Sequence, residues 1–517
     1  MARVAALALV LFALFAVDAH AAQPLFVFTT DEPVSASPGD AVGLLVPGAG
    51  PETSRERALE ALVRGEVRNS LRGGSPEGKP LITVAPFPVR PGPFLRYILV
   101  QLPPAGTQAN DERYPMLVHA PGYSGILTSD STRIPGLVSI ADIAPTALGE
   151  EGALGSQPDS DPAATLADLD ARIDGHNDSR VPAGLTAGVI LLVLALLWPR
   201  AGLLGFGGAL VANLALGLAE VTAFWPTLGL IGLAAASGWL LARIIRSDLA
   251  IGLFLTGIVV AYLVSLGLDG TAVALSPFGP SQNSRFYGLS NFLETMLLVP
   301  ALAGAVYLWR RFGWHAFGGV ALVSFVTVAG NRFGADGGGA IVLAVGFTLL
   351  AVLIAGLRGR RLVAALGIAL ALAAGLMALD AAIGPVSHLT RALDSGPSGL
   401  GADLRDRVEL SWDRVAQQGD IAAVVAVCLP VLVVLVIRVI RTDAPMTRRA
   451  LPLAFAAALA TSLLVNDSPN DVLTAGLVGY VVVEAVMLRD RCAVLSPSPG
   501  SSPASPSSLP DAATPRS

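Results

Sequence analysis

A series of long apolar runs fills the chain from about residue 183 to residue 488, and it limits the fold more strongly than any other feature. The runs cover approximately residues 183–199, 201–220, 225–243, 249–267, 288–309, 313–330, 338–356, 362–383, 420–440, 450–466 and 470–488. Most of them approach the roughly 20 residues that a helix needs to cross a membrane. Only 14% of the 517 residues are charged, which also favours a membrane protein. The sequence therefore predicts an α-helical polytopic membrane bundle of about 11 transmembrane helices over residues 182–488.

The two ends of the chain differ from this region. Arg3 precedes the apolar run Val4–Val17, and Ala19-His20-Ala21 has the small-x-small pattern of a cleavage site. We expect residues 1–21 to be a signal peptide, with an uncleaved signal anchor as the alternative. Residues 489–517 become rich in Ser, Pro and Ala, which predicts a disordered cytoplasmic tail.

Arginines concentrate in alternate loops between the apolar runs. These loops carry Arg200, Arg243, Arg246, Arg310, Arg311, Arg358, Arg360, Arg361, Arg438, Arg441, Arg448, Arg449, Arg489 and Arg491. By the positive-inside rule they face the cytoplasm, so the N-terminal domain is extracytoplasmic and the C-terminus is cytoplasmic. A single lysine and abundant Ala, Gly and Pro are typical of a high-GC bacterial genome. The prediction is a multi-pass protein of the bacterial plasma (inner) membrane.

Residues 22–181 have the composition of a soluble domain. Short β-rich runs bounded by Pro and Gly occupy Pro24–Thr30, Val42–Val46, Pro80–Phe87, Phe94–Leu102 and Tyr114–His119. Helical patterns cover Ser54–Val63 and Leu137–Leu148. We therefore expect a small α/β exported domain before the bundle.

Two segments of this domain resemble the alkaline-phosphatase/sulfatase superfamily. Thr128–Leu148 contains a Ser/Thr-rich loop followed by Asp-Ile-Ala-Pro-Thr, and it looks like the late segment of that family. Val42–Arg55 is similar to the first strand and nucleophile loop, which would make Thr53 the nucleophile. Alternatively, Thr53-Ser-Arg-Glu56 is a capping box that begins a helix.

The departures from the family are as informative as the match. That superfamily binds two metals, or one calcium in sulfatases, through several Asp and His residues. The exported domain has only His119 and His176, and its first strand ends Leu45-Val46-Pro47-Gly48 without an Asp. The resemblance therefore implies a truncated, degenerate, non-catalytic relative that holds no metal and no cofactor.

Ionisable groups within membrane spans are functional candidates because burying them is unfavourable. Tyr287, Asn291 and Glu294 are spaced i, i+4 and i+7, which would place them on one stripe of the fifth span. Glu294 needs a partner, either Arg285 or a polar residue of a neighbouring span. This cluster is either a binding site or a buried polar clamp between helices.

Two further polar elements lie on the same predicted outer side. Asn331 and Asp336 precede Gly337-Gly338-Gly339, whose glycines would let the backbone approach a ligand closely. Asp467 lies in Asn466-Asp-Ser-Pro-Asn-Asp471 before the last span. Alternatively, Asp336 caps the start of the seventh span, and the last span begins with Ser468 as its cap, Pro469 at the first helical position and Asp471 at the third. In the longest outer loop, Leu404, Val408 and Trp412 recur every four residues, as in an amphipathic helix on the membrane surface or against the exported domain.

These features support three interpretations of function. The favoured one is an envelope protein that handles a lipid-linked glycan or phospholipid, with Arg285 binding phosphate, Glu294 as base or proton carrier, and Asp336 assisting. Tyr287, Asn291, Asn331 and Asp467 would complete the binding site. The alternative is a non-catalytic scaffold that binds envelope proteins; the third is a secondary transporter. Membrane lipid is an expected partner, and the lack of a basic cluster argues against nucleic acid.

Overall fold

The computed structural model describes residues 25–72, 79–87, 95–150, 153–280, 286–335, 337–357, 359–361 and 396–489, with five isolated positions between 363 and 375. These residues form an N-terminal α/β region and a helical bundle. The α/β region contains β1 (Phe26–Thr30), β2 (Ala41–Val46), β3 (Glu52–Ser54), α1 (Arg55–Arg64), β4 (Val84–Pro86), β5 (Tyr97–Gln101), β6 (Thr107–Ala109), β7 (Tyr114–His119), β8 (Gly125–Ser129), β9 (Leu137–Ser139), α2 (Ile143–Ala147) and β10 (Leu154–Gln157). The bundle contains α3 (Pro162–Leu197), α4 (Pro199–Leu218), α5 (Phe224–Ala236), α6 (Gly238–Ile244), α7 (Asp248–Leu268), α8 (Gly270–Ala274), α9 (Asn291–Phe312), α10 (Trp314–Ala329), α11 (Gly337–Ala355), α12 (Gly396–Gln417), α13 (Gly419–Arg441), α14 (Met446–Val465) and α15 (Pro469–Arg489).

Among the described residues, nine helices are long and apolar enough to cross a membrane, counting α5 and α6 together. The shorter apolar helix α10 coincides with a further predicted run. The predicted run 362–383 lies almost wholly outside the described residues, so the total of eleven stays a prediction. The signal peptide and most of the C-terminal tail also lie outside them.

The α/β region is built on a mixed sheet with strand order β10-β8-β2-β7-β5-β1-β4, and β9 pairs with β2. One face of the sheet packs against α1 and the segment that leads into α2. Leu45, Ile98 and Val118 from this face are fully buried, together with Leu62 of α1. The predicted α/β architecture is therefore present.

The predicted helix Leu137–Leu148 is wrong in its first half. Leu137–Ser139 forms β9, which pairs in parallel with β2. A 3-10 turn follows over Ile140–Asp142, and only Ile143–Ala147 is α-helical. The apolar spacing of this segment is compatible with either a helix or a strand. Pairing with the buried central strand β2 stabilises the strand.

The α/β region and the bundle share the long helix α3. This helix continues through Pro182, the predicted domain boundary. Its first half binds the sheet region through Arg113, whose guanidinium contacts Asp170 and Asp174 at 2.5 Å each. Burial alone would lower the pKa of Arg113, but the hydrogen bonds to Asp174 and Asp170 outweigh it and raise the pKa. The α/β region is thus fixed to the first long helix of the bundle.

The loops of the bundle gather at two ends. We call the end that contacts the α/β region the proximal end and the opposite end the distal end. At the distal end, Arg310 lies 2.7 Å and Arg200 3.9 Å from the carboxylate of Asp248. These residues lie at helix ends beside three of the loops that the arginine pattern assigned to one side. Those three loops therefore lie at the same end of the bundle.

Candidate functional site

The three polar elements that the sequence singled out meet at the proximal end of the bundle. Their centre is Glu294, in the first turn of α9, which is only 1% exposed. It belongs to one of two groups of bonded side chains that meet where Asn466 and Asp467 are consecutive in the chain, and we call the two groups together the proximal network. Its members are Asn291, Glu294, Arg414, Ser462, Asn466 and Asp467.

The Glu294 carboxylate is bonded to a side chain that follows α14. The Nδ2 atom of Asn466 donates to Glu294 Oε2 at 3.2 Å and to Ser462 Oγ at 2.9 Å. Asn466 is itself 2% exposed. A neutral amide near a neighbouring helix is thus one partner of Glu294, as in one of the alternatives that the sequence left open. Arg285, the other alternative, lies outside the described residues.

The glycine-rich element lies directly against Glu294. A Cβ atom added to Gly339, in the first turn of α11, would lie 2.9 Å from Glu294 Cδ and 3.0 Å from Oε1. It would also lie 2.4 Å from Cγ1 of Val328. The predicted close approach by a glycine is therefore present, and the neighbour is a carboxylate of the same chain. A carboxylate beside the N-terminal turn of a helix is favoured by the unpaired amides and the helix dipole.

The rest of the proximal network connects α9 with α12. Asn291 Nδ2 donates to Asp467 Oδ1 at 3.1 Å, and Arg414 Nη2 lies 3.2 Å from Asp467 Oδ2. Ser411, also on α12, donates to the backbone carbonyl of Asn466 at 2.9 Å. Asp467 therefore joins two helices rather than capping one. The next helix, α15, begins at Pro469 as predicted.

A second buried charged group lies nearby on α3. The guanidinium of Arg180 donates from Nε to the Pro277 carbonyl at 3.3 Å and also bonds the Gly279 carbonyl. Asp471 interacts electrostatically with both Arg180 and Arg414. Positive and negative groups therefore alternate in this part of the proximal end, and both Arg180 and Arg414 have a neighbouring acid.

Tyr287 does not share a helical stripe with Asn291 and Glu294. Helix α9 begins at Asn291, because Ser290 caps it by accepting from the Leu293 amide at 3.0 Å. Tyr287 precedes the helix and contacts the α/β region instead. The Cζ atom of Arg133 lies 4.2 Å from the centre of the Tyr287 ring, which is a cation–π contact.

Arg133 also connects the α/β region to the loop before α11. It donates to the Asn331 carbonyl at 2.6 Å and to Asn331 Oδ1 at 3.3 Å. Its backbone is left-handed, with φ of 55°, which is uncommon for a residue other than glycine. Asn331 is thus a docking residue for the α/β region. Asp336, five residues later, lies outside the described residues.

Helix α12 contacts the α/β region on its other side. Arg72 lies 3.2 Å from the Asp406 carboxylate and 3.7 Å from that of Glu409. Gln417 donates to the Leu71 carbonyl at 3.0 Å. The predicted amphipathic helix is therefore present and packs on the α/β region, while its apolar Val408 and Trp412 are 43% and 72% exposed.

The segments that resemble the phosphatase superfamily have internal roles in this fold. Ser54, not Thr53, caps α1 by accepting from the Arg57 amide at 3.3 Å, and Thr53 belongs to β3. Thr53 lies at the edge of a small pocket with Arg57, Arg68 and Asn69. In the second segment, Asp142 is buried and accepts from Ser129 and Ser131. The part of the chain that the structure describes has no group of three His, Cys, Asp or Glu residues placed to hold a metal ion.

Several members of this site could not be identified from the sequence. Arg133 and Arg414 are two surface-type residues among many arginines, and no local motif marks them. Asn466 was quoted only as the start of a cap motif. Comparisons with protein-family models, with curated proteins and with solved structures find no match, so the site rests on its geometry alone.

Proposed function

We propose that this chain is an integral membrane protein of the bacterial cell envelope whose helical bundle carries an exported α/β domain that binds an envelope partner. In this proposal the proximal network is a clamp that fixes the domain, and it performs no chemistry. The observation that carries the proposal is that the helices and loops holding the network also contact the domain. Glu294, Asn466 and Asp467 bond within the chain, and the elements that hold them also hold the domain.

The domain contacts the bundle through two sets of residues. In the first set, Arg133 bonds Asn331 in the loop before α11, and Gly339 of α11 lies against Glu294. In the second set, Arg72 and the Leu71 carbonyl bind α12, which in turn bonds the Asn466 carbonyl and Asp467. Both sets therefore lead to the proximal network. A clamp of this kind supports a scaffold with a fixed orientation of its binding domain.

The resemblance to the phosphatase superfamily supports an evolutionary origin of the binding domain from that superfamily. The corresponding Ser/Thr-rich loop, strand and short helix pack around the buried Asp142. We propose that the domain is a degenerate relative that kept a ligand-binding fold without phosphatase chemistry. The proposed location is the bacterial plasma membrane with this domain on the extracytoplasmic side.

A second candidate function is the handling of a lipid-linked glycan or phospholipid by the bundle itself. It is favoured by one observation, the burial of the Glu294 carboxylate between apolar helices, where acids mark substrate or proton pathways. A crevice beside Glu294 reaches Ser324 and Thr327 on α10, but it has no room for a water molecule. A base in this position would need the crevice to open, and this favours the clamp.

Depletion of the protein in its host separates the two functions. Lipid-linked intermediates and envelope glycans would be measured by mass spectrometry in strains carrying Glu294→Gln, or a chain lacking residues 26–157. Glu484→Gln is the matched control, since Glu484 is a buried acid at the distal end, paired with Arg438. Protein levels would be compared by quantitative immunoblot.

The scaffold proposal expects the deletion to reproduce the depletion phenotype while Glu294→Gln behaves like Glu484→Gln at equal protein levels. A lipid-linked species that accumulates on depletion and in Glu294→Gln, but not in Glu484→Gln, would contradict it and support the lipid-handling function. A deletion strain without a phenotype would contradict the scaffold proposal directly.

A further inference from the structure

A cluster of aromatic rings lies on the face of the sheet opposite to α1. We call it the aromatic platform, and its members are Phe26, Phe28, Phe87, Tyr97 and His119. Adjacent ring centres are 5.1 to 6.4 Å apart, from Phe26 at one end to His119 at the other. The register places Phe26 opposite Tyr97, and Tyr97 opposite His119. Residues directly opposite each other in a sheet point to the same face, so these rings form one surface.

The aromatic platform does not belong to the core of the α/β region. The alternate residues of the same strands, such as Val27, Ile98 and Val118, are buried against α1 on the other face. By contrast, Phe26 is 61% exposed, and the His119 side chain is 44% exposed. Five adjacent rings that are only partly buried leave apolar surface in contact with water, which is unfavourable without a function. The surface is therefore a candidate binding site.

Polar groups are built into one edge of the platform. His119 Nδ1 lies 2.7 Å from Oδ1 of Asp40, whose side chain is 3% exposed. The other Asp40 oxygen accepts from the Ser37 amide at 2.7 Å. This pair fixes the imidazole in one orientation, stacked on Tyr97. The Nε2 atom of His119 has no hydrogen-bond partner among the described residues, so it is available to a ligand.

Tyr97 adds a hydroxyl group next to this pair. Partial burial, and secondarily the nearby Asp40 carboxylate, raise the pKa of Tyr97 above its ordinary value. Its hydroxyl therefore stays protonated at neutral pH and can donate a hydrogen bond. The platform thus combines flat apolar rings with an imidazole and a hydroxyl group, and the Asp40 carboxylate lies behind the imidazole.

We propose that the aromatic platform binds a sugar ring of an envelope glycan. A pyranose has an apolar face of C–H groups, which stacks on aromatic rings, and hydroxyl groups around its edge, which bond to imidazole and phenol groups. A lipid tail would not use the oriented His119. The buried carboxylate of Asp40 behind His119 disfavours an anionic ligand. This inference rests on the proposed function, because it names the class of ligand that the α/β domain binds.

The test uses the full-length protein in lipid nanodiscs on an array of bacterial oligosaccharides and peptidoglycan fragments. The best-bound glycan is then titrated by calorimetry. Phe28→Leu and Tyr97→Ala remove rings, and we expect Kd to rise about five- to tenfold for each, since one aromatic contact contributes about 1 kcal/mol. Tyr97→Phe keeps the ring and removes only the hydroxyl group, so Kd should rise less, by about two- to threefold. Leu81→Ala is the control, because Leu81 is an exposed apolar residue outside the platform.

Each outcome decides the inference. Wild-type binding that Phe28→Leu weakens and Leu81→Ala does not, with unchanged thermal unfolding, supports it. Absence of binding to every glycan, or binding that is equal in Phe28→Leu and wild type, overturns it. Capture of an envelope protein that is lost in Phe28→Leu, without glycan binding, also overturns it in favour of a protein ligand. In all of these cases the domain deletion tests the proposed function separately, since its phenotype does not depend on which ligand the domain binds.

Discussion

The proximal network and the ion pairs beside the distal loops hold their charged groups differently. Beside the distal loops, charged side chains pair near the surface, and Asp248, the partner of Arg310 and Arg200, is 38% exposed. In the proximal network, Glu294 and Asn466 are almost fully buried and bond to each other. The exposed ion pairs are in contact with solvent, whereas the buried groups depend on partners within the fold.

This difference shows where single residues matter. A surface ion pair contributes little, because water and salt screen it and both side chains lose freedom when they pair. A buried polar group is different, because removing its partner leaves an unsatisfied group in a low-dielectric interior. We therefore expect small substitutions in the proximal network to lower the free energy of unfolding, and larger substitutions beside the distal loops to change it less.

The largest effect is expected for Gly339→Ala. The new methyl group would lie 2.4 Å from Val328 Cγ1 and 2.9 Å from Glu294 Cδ, so α11 must shift. We expect a loss of about 3 kcal/mol in unfolding free energy, seen as a lower midpoint of thermal unfolding in nanodiscs. Gly318→Ala on α10 is the control, because its added methyl group meets nothing within 4 Å. Equal midpoints for the two variants would remove the argument for close packing at Glu294.

The next largest effect is expected for Glu294→Ala. The Asn466 amide would lose an acceptor inside the bundle, which should cost about 2 kcal/mol. Glu294→Gln keeps a carbonyl oxygen at this position and should lose less than half of that amount. The measurement is again the thermal midpoint, and a loss for Gln as large as that for Ala would show that the carboxylate charge rather than the acceptor oxygen stabilises the site.

A smaller effect is expected for Arg133→Ala, which breaks the contact between the α/β region and the loop before α11. It removes the cation–π contact with Tyr287 and two hydrogen bonds to Asn331, worth about 1 to 2 kcal/mol together. We expect faster hydrogen–deuterium exchange in residues 330–335 with little change in the distal loops. Uniformly faster exchange throughout the bundle would contradict a local docking role.

The smallest effect is expected for Asp248→Asn at the distal end. It weakens the contacts to Arg310 and Arg200, and we expect a loss of at most about 1 kcal/mol that shrinks as salt is raised. Thermal unfolding at low and high ionic strength measures this. A loss of unfolding free energy as large as that of Glu294→Ala would contradict the difference between the proximal network and the ion pairs beside the distal loops.

The sequence predicted the parts of this molecule that depend on periodicity. Ten of the predicted runs coincide with helices because a membrane span needs a long apolar stretch. The strands β1, β4, β5 and β7 fall within predicted β-rich runs, and β2 begins one residue before its run. The short strand β9 was missed because its pairing with β2 is not a local property. The sequence also selected Glu294, Asn331 and Asp467, since polar residues beside apolar runs stand out.

The contacts of these residues could not be predicted in the same way. Arg133 and Arg414 lie far from Asn331 and Asp467 in the chain, and many other arginines would have been equal candidates. Tyr287 was placed on the stripe of α9 because the cap at Ser290 was not recognised, although Ser before an apolar run is a common helix start. Pairing across the fold depends on three-dimensional packing.

The most direct test of the account is hydrogen–deuterium exchange of full-length Glu294→Ala in nanodiscs, compared with Glu484→Ala. If the proximal network is one clamp, Glu294→Ala speeds exchange together in residues 330–335, in residues 411–417 of α12, and in residues 69–72 of the α/β region, while Glu484→Ala leaves these three segments unchanged. Faster exchange confined to α9 and its immediate neighbours would contradict the claim that this network holds the α/β domain on the bundle.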